Sequence, residues 1–338
     1  MKAYEVQPGS KSLADVKLVE RPDPKPGFGE ILVRIRATSL NFRDQMVVEG
    51  MYGPAASAFK TIPLSDGAGE VIATGDGVTR FKVGDRVTGT FFRDWLDGPP
   101  RADARVSIGA GGVDGVLSEY AVFNAQNAVA IPAGFTFEEA ATLPCAAVTA
   151  WDALMAVGEV RAGQTVLLIG TGGVSVFALQ FTHAMGARVV LISSSDEKLE
   201  RAKSMGANVL INYKRTPDWE KEVLKATDGR GVDCIVEVGG PGTLARSMEA
   251  VGFAGRIALI GAVAGFQGET NPRPLMRKGA SIHGIFVGSR AMFESMNAAI
   301  EVNGIKPVID RVFSFDQAID AYRHLKSAAH FGKIVIRL

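Results

Sequence analysis

Apolar and polar positions change rhythm along this chain. From residue 1 to about 123 they form short strand-like runs, KAYEV, DVKLVE, ILVRIRATSL, GAGEVIATG, VGDRVTG and LSEYAVF, separated by Gly or Asp-Gly turns and punctuated by Pro22, Pro24 and Pro26. Such runs predict a compact, largely antiparallel β domain. From about Thr136 helical stretches alternate with β-rich ones: EEAATLPCAAVTAWDALMAV, TVLLIG, ARVVLIS, NVLIN, VDCIVEVG, RIALIGAV and SIHGIFV. That alternation predicts a doubly wound parallel sheet. Helices at about 291–301 and 315–326 precede a last strand, GKIVIRL, whose most economical place is back with the N-terminal β lobe. The expected fold class is α/β. A mostly antiparallel β domain at 1–125, completed by 290–338, surrounds a parallel-sheet domain at 126–289.

The most informative stretch is 164–198, QTVLLIGTGGVSVFALQFTHAMGARVVLISSSDEK. Val166 to Ile169 form a continuous apolar run of the kind buried on both faces of a parallel sheet. The following turn, from Gly170 through Gly172, Gly173 and Val174 to Ser175, fits the dinucleotide pattern G-x-G-x-x-G/A with serine at the third small position. Gly170 permits the tight turn, Gly172 lets backbone approach a pyrophosphate, and a small residue at 175 lets the helix lie close on the sheet. The helix N-terminus then presents free N–H groups to phosphates. Taken alone, such a turn can be merely tight; the strand and helix around it favour a nucleotide site.

The second strand ends at Ser193, about 20 residues past the first glycine, where an NAD site carries an acid for the ribose 2′-OH. Ser193, Ser194 and Ser195 stand there instead, with Lys198 one helical turn on. Hydroxyls and an ammonium suit a 2′-phosphate, so NADP(H) is the expected cofactor. Ser195 also reads as a helix N-cap, with Lys198 in solvent, which is compatible with cofactor binding.

Composition narrows the picture further. The 338 residues suit two domains, and 37 Lys plus Arg against 36 Asp plus Glu give a net charge of +1. That balance supplies no electrostatic reason for a nucleic-acid or membrane partner. The two cysteines, Cys145 and Cys234, lie in apolar segments and fit a reducing cytoplasm. No apolar run reaches a membrane span, and the N-terminus lacks a signal-peptide core. His183, His283, His324 and His330 show no metal-ligand spacing.

PGFGEILVRIRATSLNFRD, GAGEVIATGDGV, FKVGDRVTG, LPCAAVTAWDAL, IGTGGVSVFALQFTHAMGA, SSSDEKLERAKSMGA, GRGVDCIVEVGG and GKIVI follow one another in an order and spacing that resembles the medium-chain dehydrogenase/reductase superfamily across nearly the whole chain. The resemblance implies a GroES-like catalytic domain and a Rossmann NADP(H)-binding domain. Many such enzymes hold catalytic zinc, yet Asn41 and Ser65-Asp66 occupy two ligand positions here and Cys145 alone keeps the third. The segment FFRDWLDGPPRADARVSIGAGGVDG carries none of the four structural-zinc cysteines. No metal site is expected.

SLNFRDQMVVEGMYG looks like the quinone oxidoreductase and enoyl reductase branch. There NADPH gives a hydride to a quinone or α,β-unsaturated carbonyl without metal. By that resemblance Asn41 faces the nicotinamide or substrate carbonyl, with a structural strand-ending Asn as the alternative. Tyr52 is the candidate proton donor, with bulk water as its rival. Arg43 and Asp44 read as an ion pair or helix cap near the cleft. Phe42, Met51, Phe91, Phe92 and Trp95 are either pocket lining or plain core.

Thr149 stands where the family contacts the nicotinamide end, and Tyr213 resembles a residue that meets the adenine or 2′-phosphate. Gly239 and Gly261 close strands at the carboxyl edge of the sheet, where turn glycines are also ordinary. Gly332 and Lys333 resemble the segment returning to the cofactor cleft. The family implies a homodimer or homotetramer, with SIHGIFVG as a candidate edge. Two other functions stay open, an alcohol/ketone dehydrogenase of the same superfamily and a non-enzymatic NADPH-binding protein. Substrate choice rests on the loops at 42–60, 91–115 and 263–290.

Overall fold

The computed structural model describes every residue except 54, 55, 57, 103–105 and 266, all of which fall in those three loops. The chain forms two compact units, Met1–Val148 with Gly288–Leu338, and Thr149–Val287.

In the first unit β1 (Lys2–Val6) and β2 (Val16–Glu20) pair antiparallel. The main sheet is organised on β3 (Glu30–Leu40), with β4 (Asp66–Thr74), β5 (Arg86–Gly89), β6 (Tyr120–Asn124) and β7 (Ala128–Ala130). Ile31, Val33, Ile35 and Ala37 of β3 alternate inward and are buried, as period two requires of a strand with one wet face. Past Ala37 the alternation stops and Thr38, Ser39 and Leu40 are all buried. Both faces are covered here: after a register shift between Ile35 and Ala37, Ala37 packs with Ala140 and Ala141, while Leu40 packs with Ile31, Val33 and Ile35. One edge of β3 runs along β4, and the other is shared, β6 covering residues 30–34 and a C-terminal strand covering 37–40.

The second unit is a six-stranded parallel sheet of β8 (Thr165–Ile169), β9 (Arg188–Ser193), β10 (Val209–Asn212), β11 (Val232–Glu237), β12 (Val251–Leu259) and β13 (Ser281–Gly284). Their spatial order is β10-β9-β8-β11-β12-β13, the order of a Rossmann sheet with its switch point between β8 and β11. All five residues of β8 are buried, as expected for a central strand with both faces covered. Its core joins Leu167 and Ile169 to Val190, Ile192, Ile235 and Ile257.

The chain then returns to the first unit as β14 (Ile309–Ser314) and β15 (Lys333–Arg337). β15 is antiparallel to β3 and parallel to β14, so the last strand does rejoin the N-terminal lobe. The observed division differs from the expected boundary at 125/126. Residues 126–148 cluster with the first unit because β7 pairs with β5 and the helix Phe137–Ala140 packs on β3 and β4. Among the described residues no helix is long and apolar enough to cross a membrane.

Candidate active site

At the carboxyl end of β8 the chain turns through Gly170, whose φ of 77° lies in the left-handed region open to glycine. Gly172 caps the twelve-residue helix Gly173–Ala184 with no side chain bonded to the first turn. A methyl group added at either glycine would meet no protein atom within 4 Å. The space over this helix end is therefore open and lined by backbone. Ser175 is buried and its hydroxyl donates to the Ile169 carbonyl at 2.7 Å, which ties helix to strand. Val174 is half-buried in the same first turn.

At the end of β9, Ser193 is buried, and its carbonyl accepts the Tyr213 N–H at 3.1 Å. Ser195 does cap the next helix, Asp196–Ser204, accepting the Lys198 N–H at 3.4 Å. Ser194 lies between them, half-buried, and the Tyr213 ring is partly exposed. An acid lies directly after Ser195. Asp196 accepts from Asn212 Nδ2 at 2.7 Å and pairs with Arg215, so a guanidinium joins Lys198 in this region. Its signal was weak, since an Asp at a helix start reads as a cap.

Across the switch point β11 ends in Glu237, which is fully buried. It accepts from the Gly239 and Gly240 N–H groups at 2.8 and 3.1 Å and from the hydroxyls of Thr243 and Ser247. Burial pushes this carboxyl up, and those four donors oppose the shift. Gly239 is thus held by an acid that sequence reasoning missed. Gly261 reaches the same residue, its N–H lying 3.4 Å from the Glu237 carbonyl. Thr149 is buried at the start of this unit.

Burial alone pushes Asp152 up to about 6. A carboxyl whose folded pKa exceeds its unfolded value binds its proton more tightly when folded, so stability falls as pH rises from about 4 to 6. Asp152→Asn is expected to stabilise the protein by about 1–2 kcal/mol at pH 7 and hardly at all at pH 4. Urea denaturation at the two pH values checks this.

The first unit carries a buried polar cluster built on the end of β3. Asn41 caps the helix Phe42–Val48, and its N–H donates to Asp44 Oδ2 at 2.8 Å. Lys333, the first residue of β15, is 3% exposed. Its Nζ donates to the Leu40 carbonyl and to Asn41 Oδ1, both at 2.6 Å, and lies 4.0 Å from Asp66 Oδ2. Asp66 accepts from Ser65 Oγ at 2.7 Å and from the Cys145 N–H at 3.1 Å.

Asn41, Ser65, Asp66 and Cys145 therefore converge, as the family resemblance implied, and they converge around an ammonium. Burial pulls Lys333 down, with Asp66 opposing; burial pushes Asp66 up, with Lys333 opposing. Burial and then Asp66 push the Cys145 thiol up. Among the described residues no group of three or more His, Cys, Asp or Glu is set to hold a metal ion.

The segment 332–333 is engaged in the β lobe itself. A Cβ at Gly332, where φ is 82°, would clash with the Val308 carbonyl oxygen, so this glycine answers a backbone constraint. Asn41 likewise turns its Oδ1 inward to Lys333, and its Nδ2 is buried without a hydrogen bond. Tyr52 packs on Val47, Ala56 and Ala110, and its hydroxyl is buried. Phe91, Phe92 and Trp95 are core residues in mutual edge or tilted contact, whereas Met51 is half exposed.

Comparison with known proteins bears on the whole chain. Residues 27–133 match the alcohol dehydrogenase GroES-like domain, and residues 173–302 match the family described as zinc-binding dehydrogenase. The chain is 46% identical over 318 residues to a zinc-type alcohol dehydrogenase-like protein of Schizosaccharomyces pombe, covering 92% of this chain and 91% of that one. It is 31% identical over 322 residues to a quinone oxidoreductase of Pseudomonas aeruginosa, covering 92% of each. A solved NAD-dependent alcohol dehydrogenase shares its fold at a TM-score of 0.90 and 31% identity, over 100% of both chains. A mycobacterial protein complexed with NADPH does so at 0.84 and 26%, also over 100% of both.

An antiparallel β unit with a Rossmann unit inserted in it, matched over its length by dehydrogenases and reductases, defines a nucleotide-dependent oxidoreductase. The chain belongs to the medium-chain dehydrogenase/reductase superfamily. Members use NAD(P)(H) and act on small molecules.

Proposed function

We propose that this enzyme uses NADPH to reduce a quinone or an α,β-unsaturated carbonyl without zinc. The observation that carries the reading is the buried Lys333 ammonium, bonded to Asn41 Oδ1 and facing Asp66 where zinc relatives gather their ligands. Zinc asks for anionic or imidazole donors with one open position. Here one position is an amide already bonded to a cation, another is a hydroxyl donating to Asp66, and the third is a thiol whose ionisation burial disfavours. This donor set does not fit zinc, and no step is drawn through it.

The cradle fits the nicotinamide cofactor. Gly170, Gly172, Gly173 and Val174 would receive the pyrophosphate, and Ser193, Ser194, Lys198 and Tyr213 the 2′-phosphate end, with Thr149, Gly239 and Gly261 toward the nicotinamide. Bound NADPH supplies a hydride. Asn41 and Tyr52 are the proposed substrate-side groups, Asn41 for orientation and Tyr52 for the proton. Assembly as a homodimer or homotetramer is proposed through β13, the terminal strand of its sheet, and a cytoplasmic setting from the two thiols.

A panel of quinones, enones and ketones, read by oxidation of NADPH and of NADH, tests the reading. Quinones or enones are expected to be reduced, with NADPH preferred. A second reading, an alcohol/ketone dehydrogenase, draws on the zinc-type relative at 46% identity. Turnover confined to ketones, with stoichiometric zinc by elemental analysis, would replace the first reading by the second.

A further inference from the structure

Among the buried charged residues that the proposed reduction leaves without a task is Arg43. Arg43 is 7% exposed, and its guanidinium is fixed on three sides. Nη1 donates to Asp44 Oδ1 at 3.1 Å and to the Ile108 carbonyl at 3.0 Å, and Nη2 donates to Ser107 Oγ at 3.3 Å. Its plane of charge lies 4.7 Å from the centre of the Tyr52 ring and 5.2 Å from that of Phe91. Both Arg43 Nε and the Tyr52 hydroxyl are buried without a hydrogen-bond partner. Burying a guanidinium is costly, and an apolar side chain would fill the space between two rings without that cost.

We propose that Arg43 is a positioning residue for proton transfer, held over Tyr52 so that its charge stabilises the tyrosinate left when Tyr52 gives up its proton. This rests on the enone reading above. After the β-carbon has gained hydride, the enolate's electron pair forms a C–H bond at the α-carbon with the Tyr52 Oη proton. The O–H bond breaks, the carbonyl re-forms, and solvent later reprotonates the tyrosinate. NADPH is the two-electron reductant, and the C=C bond is what is reduced.

Charges that reach Tyr52 come from Arg43, Asp44 and Cys145, and only Arg43 favours the tyrosinate. Burial pushes the phenol up, and Arg43 pulls it back. Burial also acts to neutralise Arg43, but Asp44 and Tyr52 outweigh it and keep the guanidinium charged.

The test uses the full chain with NADPH and 2-cyclohexenone as the probe. Tyr52→Phe is expected to lower kcat about 100-fold, within the range of general-acid contributions. Arg43→Met should lower kcat about tenfold alone, but less than about twofold when combined with Tyr52→Phe, since residues acting through one another are not additive. Arg43→Lys should keep most of the rate and guards against misfolding of the methionine variant.

In protein labelled with 13C at the tyrosine ζ carbon, five resonances arise from the five tyrosines. The one absent from Tyr52→Phe should titrate at higher pH in Arg43→Met than in the parent, with Arg43→Lys close to the parent. An equal loss from Arg43→Met with and without Tyr52→Phe, or an unmoved Tyr52 midpoint, would overturn the proposal. So would full activity of Tyr52→Phe, which removes the proton donor while leaving hydride transfer intact. Inertness of the parent toward every enone would instead sink the enone reading.

Discussion

Lys333→Met is expected to destabilise the folded protein by about 3–5 kcal/mol, the cost of breaking a buried charge pair by deleting one partner. The methionine keeps most of the side-chain volume, so the loss is electrostatic rather than a cavity. It removes the donor to the Leu40 carbonyl and to Asn41 Oδ1 and leaves Asp66 with no cation 4.0 Å away. Asp66 already sits above the usual carboxylate range because of burial, and Lys333 is the strongest influence holding it down. In the variant it rises further, so the folded state takes up a proton more readily than the unfolded chain and gains stability as pH falls. The deficit from the parent should therefore be smaller at pH 5 than at pH 8. Adding Asp66→Asn should recover part of it. Urea denaturation of the three proteins at both pH values checks the ranking.

Gly172→Leu should separate folding from cofactor binding. The φ of −78° and ψ of −176° at this position are open to any residue, and a Cβ there meets nothing in the protein within 4 Å. Folding stability should therefore change by less than about 1 kcal/mol. The side chain would stand in the proposed pyrophosphate site, where backbone must be approached closely, so dinucleotide affinity should drop about 1000-fold, or about 4 kcal/mol. Fluorescence titration with NADPH and thermal unfolding of the free protein measure the two effects. A variant that binds NADPH as the parent does would remove the phosphate from this turn.

The parts of the fold visible beforehand were those written in local periodicity. The run Val166–Ile169 is apolar at every position because both faces of β8 are covered, and the glycine turn after it fixes strand, helix and strand in succession. The edge of the inserted unit was harder to see. Residues 126–148 carry β7 and then an alanine-rich helical stretch that looks like the start of an α/β unit, yet their partners are β3, β4 and β5, far back in the chain. Local pattern carries no record of such contacts.

The same limit applies to the candidate site. Asn41, Ser65 and Cys145 could be grouped beforehand through a family resemblance, and they do meet. The resemblance brought Lys333 to the cofactor cleft, but that its ammonium would be buried among these residues could not be read, because lysine is almost never buried unpaired and its pairing here joins residues nearly 300 positions apart. Glu237 was hidden for a different reason. An acid at the end of a strand looks like solvent exposure, and only the four donors folded around it show otherwise.

The position of β15 between β14 and β3 has a further consequence for synthesis. On the ribosome, residues 1–148 emerge with their sheet lacking this strand and with Asp66 lacking its ammonium, until β15 has left the exit tunnel. Residues 149–287 are contiguous and joined by short crossovers, and domains generally fold as units during synthesis. That contiguous unit is thus able to mature before the one whose sheet awaits β15. The lobe built on residues 1–148 must wait for β15.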